Sequence, residues 1–132
     1  MKQVIIIRKD LKMRRGKEIA QGSHASMSFL LDNMKTFLGQ KPEGLSTSAF
    51  IPIDTDVIHW IGGGQTKICL QIHSEKELLE LHKKAKEMGL RSNYITDAGR
   101  TEFNGVPTIT SLAIGPNKSE DIDKITGHLK LY

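Results

Sequence analysis

Val4-Ile5-Ile6-Ile7 is an unbroken β-branched run, the pattern of a strand covered by helices on both faces and therefore central in its sheet. These four apolar residues are too few for a signal-peptide core or a membrane span. Downstream, Ile19, Ala20, Met27, Leu30, Leu31, Met34 and Leu38 recur at helical spacing, which predicts a helix from about Gly16 into the upper thirties with that stripe turned to the core. Lys67 to His73 alternates, with Ile68, Leu70 and Ile72 against Cys69, Gln71 and His73, and reads as a second strand. Ser74 stands at capping-box spacing before Glu77, and Leu78, Leu81, Ala85 and Met88 mark a helix that stops at Gly89. Asn93 to Thr96 and Ile109 to Ile114 read as two further strands. Ser119, followed by Glu120 and Asp121, opens a last helix ending near Gly127, and Leu129 to Tyr132 suits an edge strand. This order belongs to the α/β class, a three-layer α/β/α arrangement with a mixed sheet of about four strands.

At 132 residues the chain has the size of one ordinary domain, and a single domain over 1–132 is expected. Its main interruption lies at about residues 39–66, where Pro42, Pro52 and Gly62-Gly63-Gly64 occur without clear periodicity. That stretch reads as a surface excursion, either a variable loop or a lid carrying His59-Trp60 over a substrate. The lone Cys69 allows no intramolecular disulfide and is expected to be a small buried hydrophobe. A cytoplasmic location is the default expectation.

The net charge of +4 is unevenly spread. Residues 1–17 hold Lys2, Arg8, Lys9, Lys12, Arg14, Arg15 and Lys17 against Asp10 alone, a surplus of six that leaves −2 on the remainder. Positive charge gathered at one end suits a phosphate-bearing partner, because each neutralised phosphate releases condensed counterions. A solvated basic edge is the plainer alternative. The scattered aromatic residues give no stacking platform for bases.

On a helix turning about 100° per residue, with Lys17 at zero, Gln21 falls near 40° and His24 near −20°. Lys17, Gln21 and His24 therefore share one face, flanking the apolar stripe centred at about 260°. Phe29, near about 120°, lies off that stripe, so it packs elsewhere or the helix is covered on a second side. The helix start, with Gly16 beside it, favours phosphate or a developing oxyanion. Gly16-Lys17 lacks the earlier glycine and following hydroxyl of a nucleotide-binding P-loop. The turn Asp97-Ala98-Gly99-Arg100-Thr101 follows a predicted strand, where ligand sites of open α/β sheets lie. It supplies a carboxylate, a guanidinium and a hydroxyl, although an Asp capping its own turn and pairing with the Arg would leave the same pattern. His73, His82 and His128 show no zinc-type spacing with acids or Cys69.

The run Arg8-x-Asp10-Leu11-x-Met13-x-x-Gly16-Lys17-x-x-Ala20-Gln21-x-x-His24-Ala25 closely resembles the signature of the archaeal and eukaryotic type of peptidyl-tRNA hydrolase. So do Gly64-Gln65-x-Lys67, Asp97 to Thr101, Thr110-x-Leu112-Ala113-Ile114-Gly115-Pro116 and the ending from Ile122 to Leu131. The likeness covers nearly the whole chain apart from about residues 35–60. It implies hydrolysis of the ester joining a peptide to the 3′ ribose of tRNA, with peptidyl-tRNA as partner, no membrane, and no metal or organic cofactor. Carried over by position, the family's catalytic lysine falls on Lys17, the aspartate on Asp97 and the loop threonine on Thr101. A second threonine falls on Thr110, with Thr108 competing because the intervening segment is one residue longer than the usual pattern. A homodimer stays open.

No Ser-His-Asp or Cys-His arrangement supplies a covalent route, so direct attack by water is expected. In that scheme Asp97 orients or deprotonates water, Lys17 stabilises the oxyanion, and Thr101 and Thr110 position water or ester. An unperturbed Asp is a weak base at neutral pH, which keeps His24 as an alternative base. Lys9, Lys12, Arg14, Arg15, Gln21 and Arg100 are the candidate tRNA contacts. The competing readings are a non-catalytic tRNA- or RNA-binding domain of the same fold and a protein-interaction module built on Trp60.

Overall fold

The computed structural model describes residues 1–38 and 51–132; Pro42 and the rest of 39–50, together with the side chains of Thr36, Phe37 and Leu38, lie outside the described residues. The elements are β1 (Lys2–Arg8), α1 (Arg15–Leu38), α2 (Thr55–Gly62), β2 (Lys67–Ile72), α3 (Glu75–Glu87), β3 (Ser92–Asp97), β4 (Thr108–Asn117) and α4 (Ser119–Thr126). They build a three-layer α/β/α fold around a mixed sheet of order β2-β1-β4-β3. The pair β1/β2 is parallel, and β1/β4 and β3/β4 are antiparallel.

The β-branched run occupies a central strand with both faces covered. Val4 and Ile6 join Leu70, Ile72, Leu112 and Ile114 in the larger core, closed by Leu78, Leu81 and Ala85 of α3 and by Ile122 and Ile125 of α4. Ile5 and Ile7 face the other way and pack with Met13, Ala25 and Ala113. Ser74 caps α3 by accepting from the Glu77 amide at 3.1 Å. The C-terminal segment adds a single antiparallel bridge, Leu70 with Leu131, to the outer side of β2.

Three expectations fail. The apolar stripe of α1 does not face the core: Ile19 is 65% exposed and Met27 47%. The buried side instead carries Glu18, Gln21, Gly22, Ala25, Ser26 and Ser28, centred about 95° around the helix from Lys17. Small residues let α1 lie close on the sheet, and its buried polar groups are satisfied there. The Ser26 hydroxyl donates to Gln3 Oε1 at 3.0 Å, and the Ser111 hydroxyl to the Gln21 carbonyl at 3.0 Å. Secondly, 51–66 is not an irregular excursion, since α2 forms there with Asp54 accepting from the Val57 amide at 3.2 Å. Trp60 is no exposed lid residue but 6% exposed; its indole N–H donates to the Thr66 carbonyl at 2.9 Å, and Phe29 packs edge-on against its ring at 6.1 Å. Thirdly, Cys69 is exposed rather than buried, because α1 covers β1, β4 and β3 and stops short of β2.

Asp54 pairs with Arg91, and Asn117 bridges the Arg91 amide and Asp56. These contacts fix α2 at the end of the sheet where β3 begins and β4 ends. The opposite end gathers the last residues of β1 and β3, the first residues of β4 and the start of α1.

Candidate active site

At that end, Lys17 in the first turn of α1 reaches Asp97, the last residue of β3. Lys17 Nζ lies 2.6 Å from Asp97 Oδ1, and both side chains are mostly buried. The ammonium also donates to Thr101 Oγ1 at 3.2 Å. One turn further along α1, Gln21 Nε2 donates to the same Asp97 oxygen at 3.2 Å. The Gln21 side-chain Oε1 in turn accepts from the hydroxyl of Thr110 on β4. The shared helical face of Lys17 and Gln21 thus meets the carboxylate from one side, and the sheet holds that face through Thr110.

The loop after β3 completes the arrangement. The Gly99 amide donates to Asp97 Oδ2 at 2.9 Å. Gly99 has φ +77°, and a Cβ there would lie 2.4 Å from the Val106 carbonyl oxygen, so glycine is required where the loop folds back on itself. The loop is anchored by Phe103, which packs on the smaller core, while Glu102 makes an exposed contact by accepting from Arg14 Nε at 3.1 Å. Thr101 is therefore presented to Lys17 from a segment held chiefly by Phe103 on the core.

The Lys17 ammonium beside Asp97 holds that carboxyl below the usual aspartate value, aided by the Gly99 amide and Gln21 and opposed by burial. Asp97 stays ionised at neutral pH and is a weak proton acceptor. The hydrogen-bond inventory leaves chemistry available nonetheless. An ammonium has three donors, and Asp97 and Thr101 engage two of them. Asp97 Oδ2 accepts from Gly99 alone among the described residues, so it can still take a water proton.

Thr110, at 0% exposure, reaches the site through Gln21 and not by touching solvent. Thr108 donates to the Val106 carbonyl in its own turn at 2.8 Å, so Thr110 is the threonine joined to the network. Gln21, expected among the tRNA contacts, is 3% exposed with its amide held by Asp97 and Thr110, which leaves it inside the network rather than on a phosphate-facing surface. His24 is exposed and lines a cavity of about 350 Å³ with Gln21 and Asp97. It makes no hydrogen bond among the described residues.

Of the basic residues, Lys12, Arg14, Arg15 and Arg100 are exposed near this end. Lys9 turns away, donating to Glu18 at 3.3 Å and to the Tyr132 hydroxyl at 3.0 Å. Arg8 is a structural residue that binds Asp10, Glu75 and the Ile109 carbonyl. Charge counting alone could not separate these internally paired cations from the exposed ones.

The family model described as Peptidyl-tRNA hydrolase PTH2 matches residues 1–132. A peptidyl-tRNA hydrolase of Methanocaldococcus jannaschii is 41% identical over 131 residues, covering 99% of each chain. That of Methanopyrus kandleri is 42% identical over 130 residues, covering 98% of this chain and 97% of its own, and that of Haloquadratum walsbyi is 40% identical over the full length of both. Among solved structures, a protein of unknown function from Agrobacterium tumefaciens strain C58 aligns over 99% of this chain and 96% of its own, with a TM-score of 0.51 and 13% identity, a likeness of fold alone.

Proposed function

The chain belongs to the peptidyl-tRNA hydrolase PTH2 family and cleaves the ester between a peptide and the 3′ ribose of tRNA, and we propose that the network around Lys17 and Asp97 does so by direct attack of water. The observation that carries this reading is the Lys17 ammonium 2.6 Å from Asp97 Oδ1 with one N–H still available. Water held on Asp97 Oδ2 attacks the ester carbonyl carbon. As the carbonyl oxygen becomes an oxyanion, the remaining Lys17 donor and the Thr101 hydroxyl stabilise it. The bond to the ribose oxygen then breaks, and a proton from the attacking water ends on that oxygen. The second proton of the water is released to solvent, so the products are a peptide carboxylate and tRNA with a free 3′ hydroxyl. Because Asp97 is a weak base, its contribution is orientation and electrostatic support of the polarised water. His24 lines the same cavity and is the group placed to relay the proton. Thr110 and Gln21 are positioning residues that fix the carboxylate.

An acid quench of wild-type enzyme during steady-state release from N-acetyl-aminoacyl-tRNA tests the route. Direct attack gives free N-acetyl amino acid and no protein-linked acyl group by mass spectrometry; an acylated enzyme would contradict it.

The exposed Lys12, Arg14, Arg15 and Arg100 hold tRNA phosphates, contacts that serve many tRNAs because they read no sequence. The reaction belongs in the cytoplasm, where translation supplies the substrate, and the chain works as one hydrolase domain. No helix among the described residues is long and apolar enough to cross a membrane. The outward apolar side of α1 serves a second copy of the chain. Ile19 and Met27 there border a groove of about 490 Å³ floored by Ile5, Ile7 and Cys69, the kind of apolar surface that marks an interface. Ile19→Glu and Met27→Glu are expected to shift the light-scattering mass from dimer to monomer without loss of helical content. A monomeric wild type at tens of micromolar, about the range of weak self-association, would remove the dimer.

A further inference from the structure

The cavity that opens beside Asp97 continues as a groove with a distinct construction. One wall is a single face of α1, with Gln21, His24, Ser28 and Leu31 at successive turns. The facing wall is the consecutive run Tyr94 to Ala98. A cavity lined by consecutive strand residues runs along the strand's edge, since their side chains alternate between faces. That edge is unpaired among the described residues, because β3 closes the sheet order β2-β1-β4-β3.

We propose that this groove holds the peptide of the substrate as an added β-strand on the outer edge of β3. The proposal rests on the hydrolase reading and deepens it. The Gly115 amide donates to the Arg91 carbonyl at 2.9 Å, and Asn93 and Ile95 stand opposite Ala113 and Ser111. In an antiparallel ladder this parity turns Arg91, Asn93 and Ile95 toward β4, and turns the main-chain groups of Ser92 and Tyr94 outward. A peptide between a helix and a strand edge is held mainly through its backbone. Such binding suits an enzyme whose substrates carry peptides of any sequence, because main-chain groups are common to all of them.

The polarity follows from the site. β3 ends at Asp97, where the ester is cleaved, so the peptide's last residue lies there and the chain extends back toward Ser92, parallel to β3. At about 3.3 Å per residue, the strand residues that line the groove, Tyr94 to Asp97, accommodate roughly four peptide residues. The outer side of β2 is a poorer host, since the Lys130 carbonyl already accepts from the Gln71 amide at 3.0 Å and Leu131 bridges Leu70.

The test is kcat/KM for a series from N-acetyl-aminoacyl-tRNA to pentapeptidyl-tRNA with one C-terminal residue. The expected result is a rise of about tenfold over the first three or four residues and then a plateau, the size given by one or two net backbone hydrogen bonds. N-methylation of the peptide amides should erase the gain at alternate positions only. In Tyr94→Pro, which removes an outward N–H without breaking the ladder, the pentapeptidyl to N-acetyl-aminoacyl ratio should fall toward one. Tyr94→Ala, which loses the ring packed on His82 at 5.1 Å and its share of the groove wall but keeps the main-chain N–H, should retain more of the ratio than Tyr94→Pro. Release from every length at one rate, or N-methyl effects without alternation, would overturn the added strand and leave the hydrolase intact. No release from any length would overturn the hydrolase reading and this proposal with it.

Discussion

Asp97→Asn is expected to lower kcat for peptide release by about 10²–10³, the range for removing one preorganised electrostatic group. The exposed basic residues are untouched by the change, so tRNA affinity should stay near that of the wild type. The amide keeps the shape of the carboxylate and can still accept from Lys17, but it carries no charge to polarise water. Lys17→Ala is expected to lose a comparable factor through the oxyanion, and circular dichroism must accompany it because the pair is mostly buried. The pH profile carries a second signature. Asp97 titrates below the ordinary aspartate value chiefly because Lys17 bonds it, so its ionisation places no acid limb on the rate between pH 5 and 8. In Lys17→Met the main cause of the depression is gone, and the acid limb of the residual activity should move upward. The folded-state value is lowered, so the associated stability is present above the unfolded value of about 3.9 and disappears as pH falls through the folded one.

Binding of tRNA should weaken about 100-fold between 50 and 200 mM monovalent salt. Four exposed cations, Lys12, Arg14, Arg15 and Arg100, each on one phosphate, give a log–log slope of roughly −3 to −4 at about −0.7 to −0.9 per contact. Arg14→Ala with Arg15→Ala should reduce that slope by about 1.5 to 2 and raise KM, while kcat under saturating substrate is kept. Arg14 also bonds Glu102, a contact 80% exposed on the arginine side and so of little structural weight. A fall in kcat with an unchanged slope would show that these arginines support the Thr101 loop instead of tRNA.

The fold was legible where one physical pattern dominated. Val4 to Ile7 could be read because a strand buried on both faces has no polar alternation, and Ser74 because its hydroxyl caps the next helix. The orientation of α1 was not, because apolar spacing identifies a stripe without saying whether core or partner covers it. Phe29, the residue that did not fit the stripe, lay on the side that is buried, near Gly22 and Ala25, whose smallness permits close approach to the sheet. The two-turn helix that buries Trp60 is hidden in the sequence by the Pro and Gly around it. Within the site, Lys17 and Asp97 are far apart in sequence, and their meeting depends on β3 ending beside the start of α1. The motifs pointed to both residues, but the bond from Thr110 through Gln21 to Asp97 depends on strand register, which no spacing in the sequence encodes.

The central claim is that Lys17 and Asp97 act as one hydrolytic unit, and a double-mutant cycle in single-turnover peptide release tests it most directly. The account predicts that Lys17→Ala, Asp97→Asn and the double variant are all impaired to about the same degree, because removing either member disables the unit. Single variants that release peptide within a few-fold of wild type, or losses that multiply in the double variant, would contradict it.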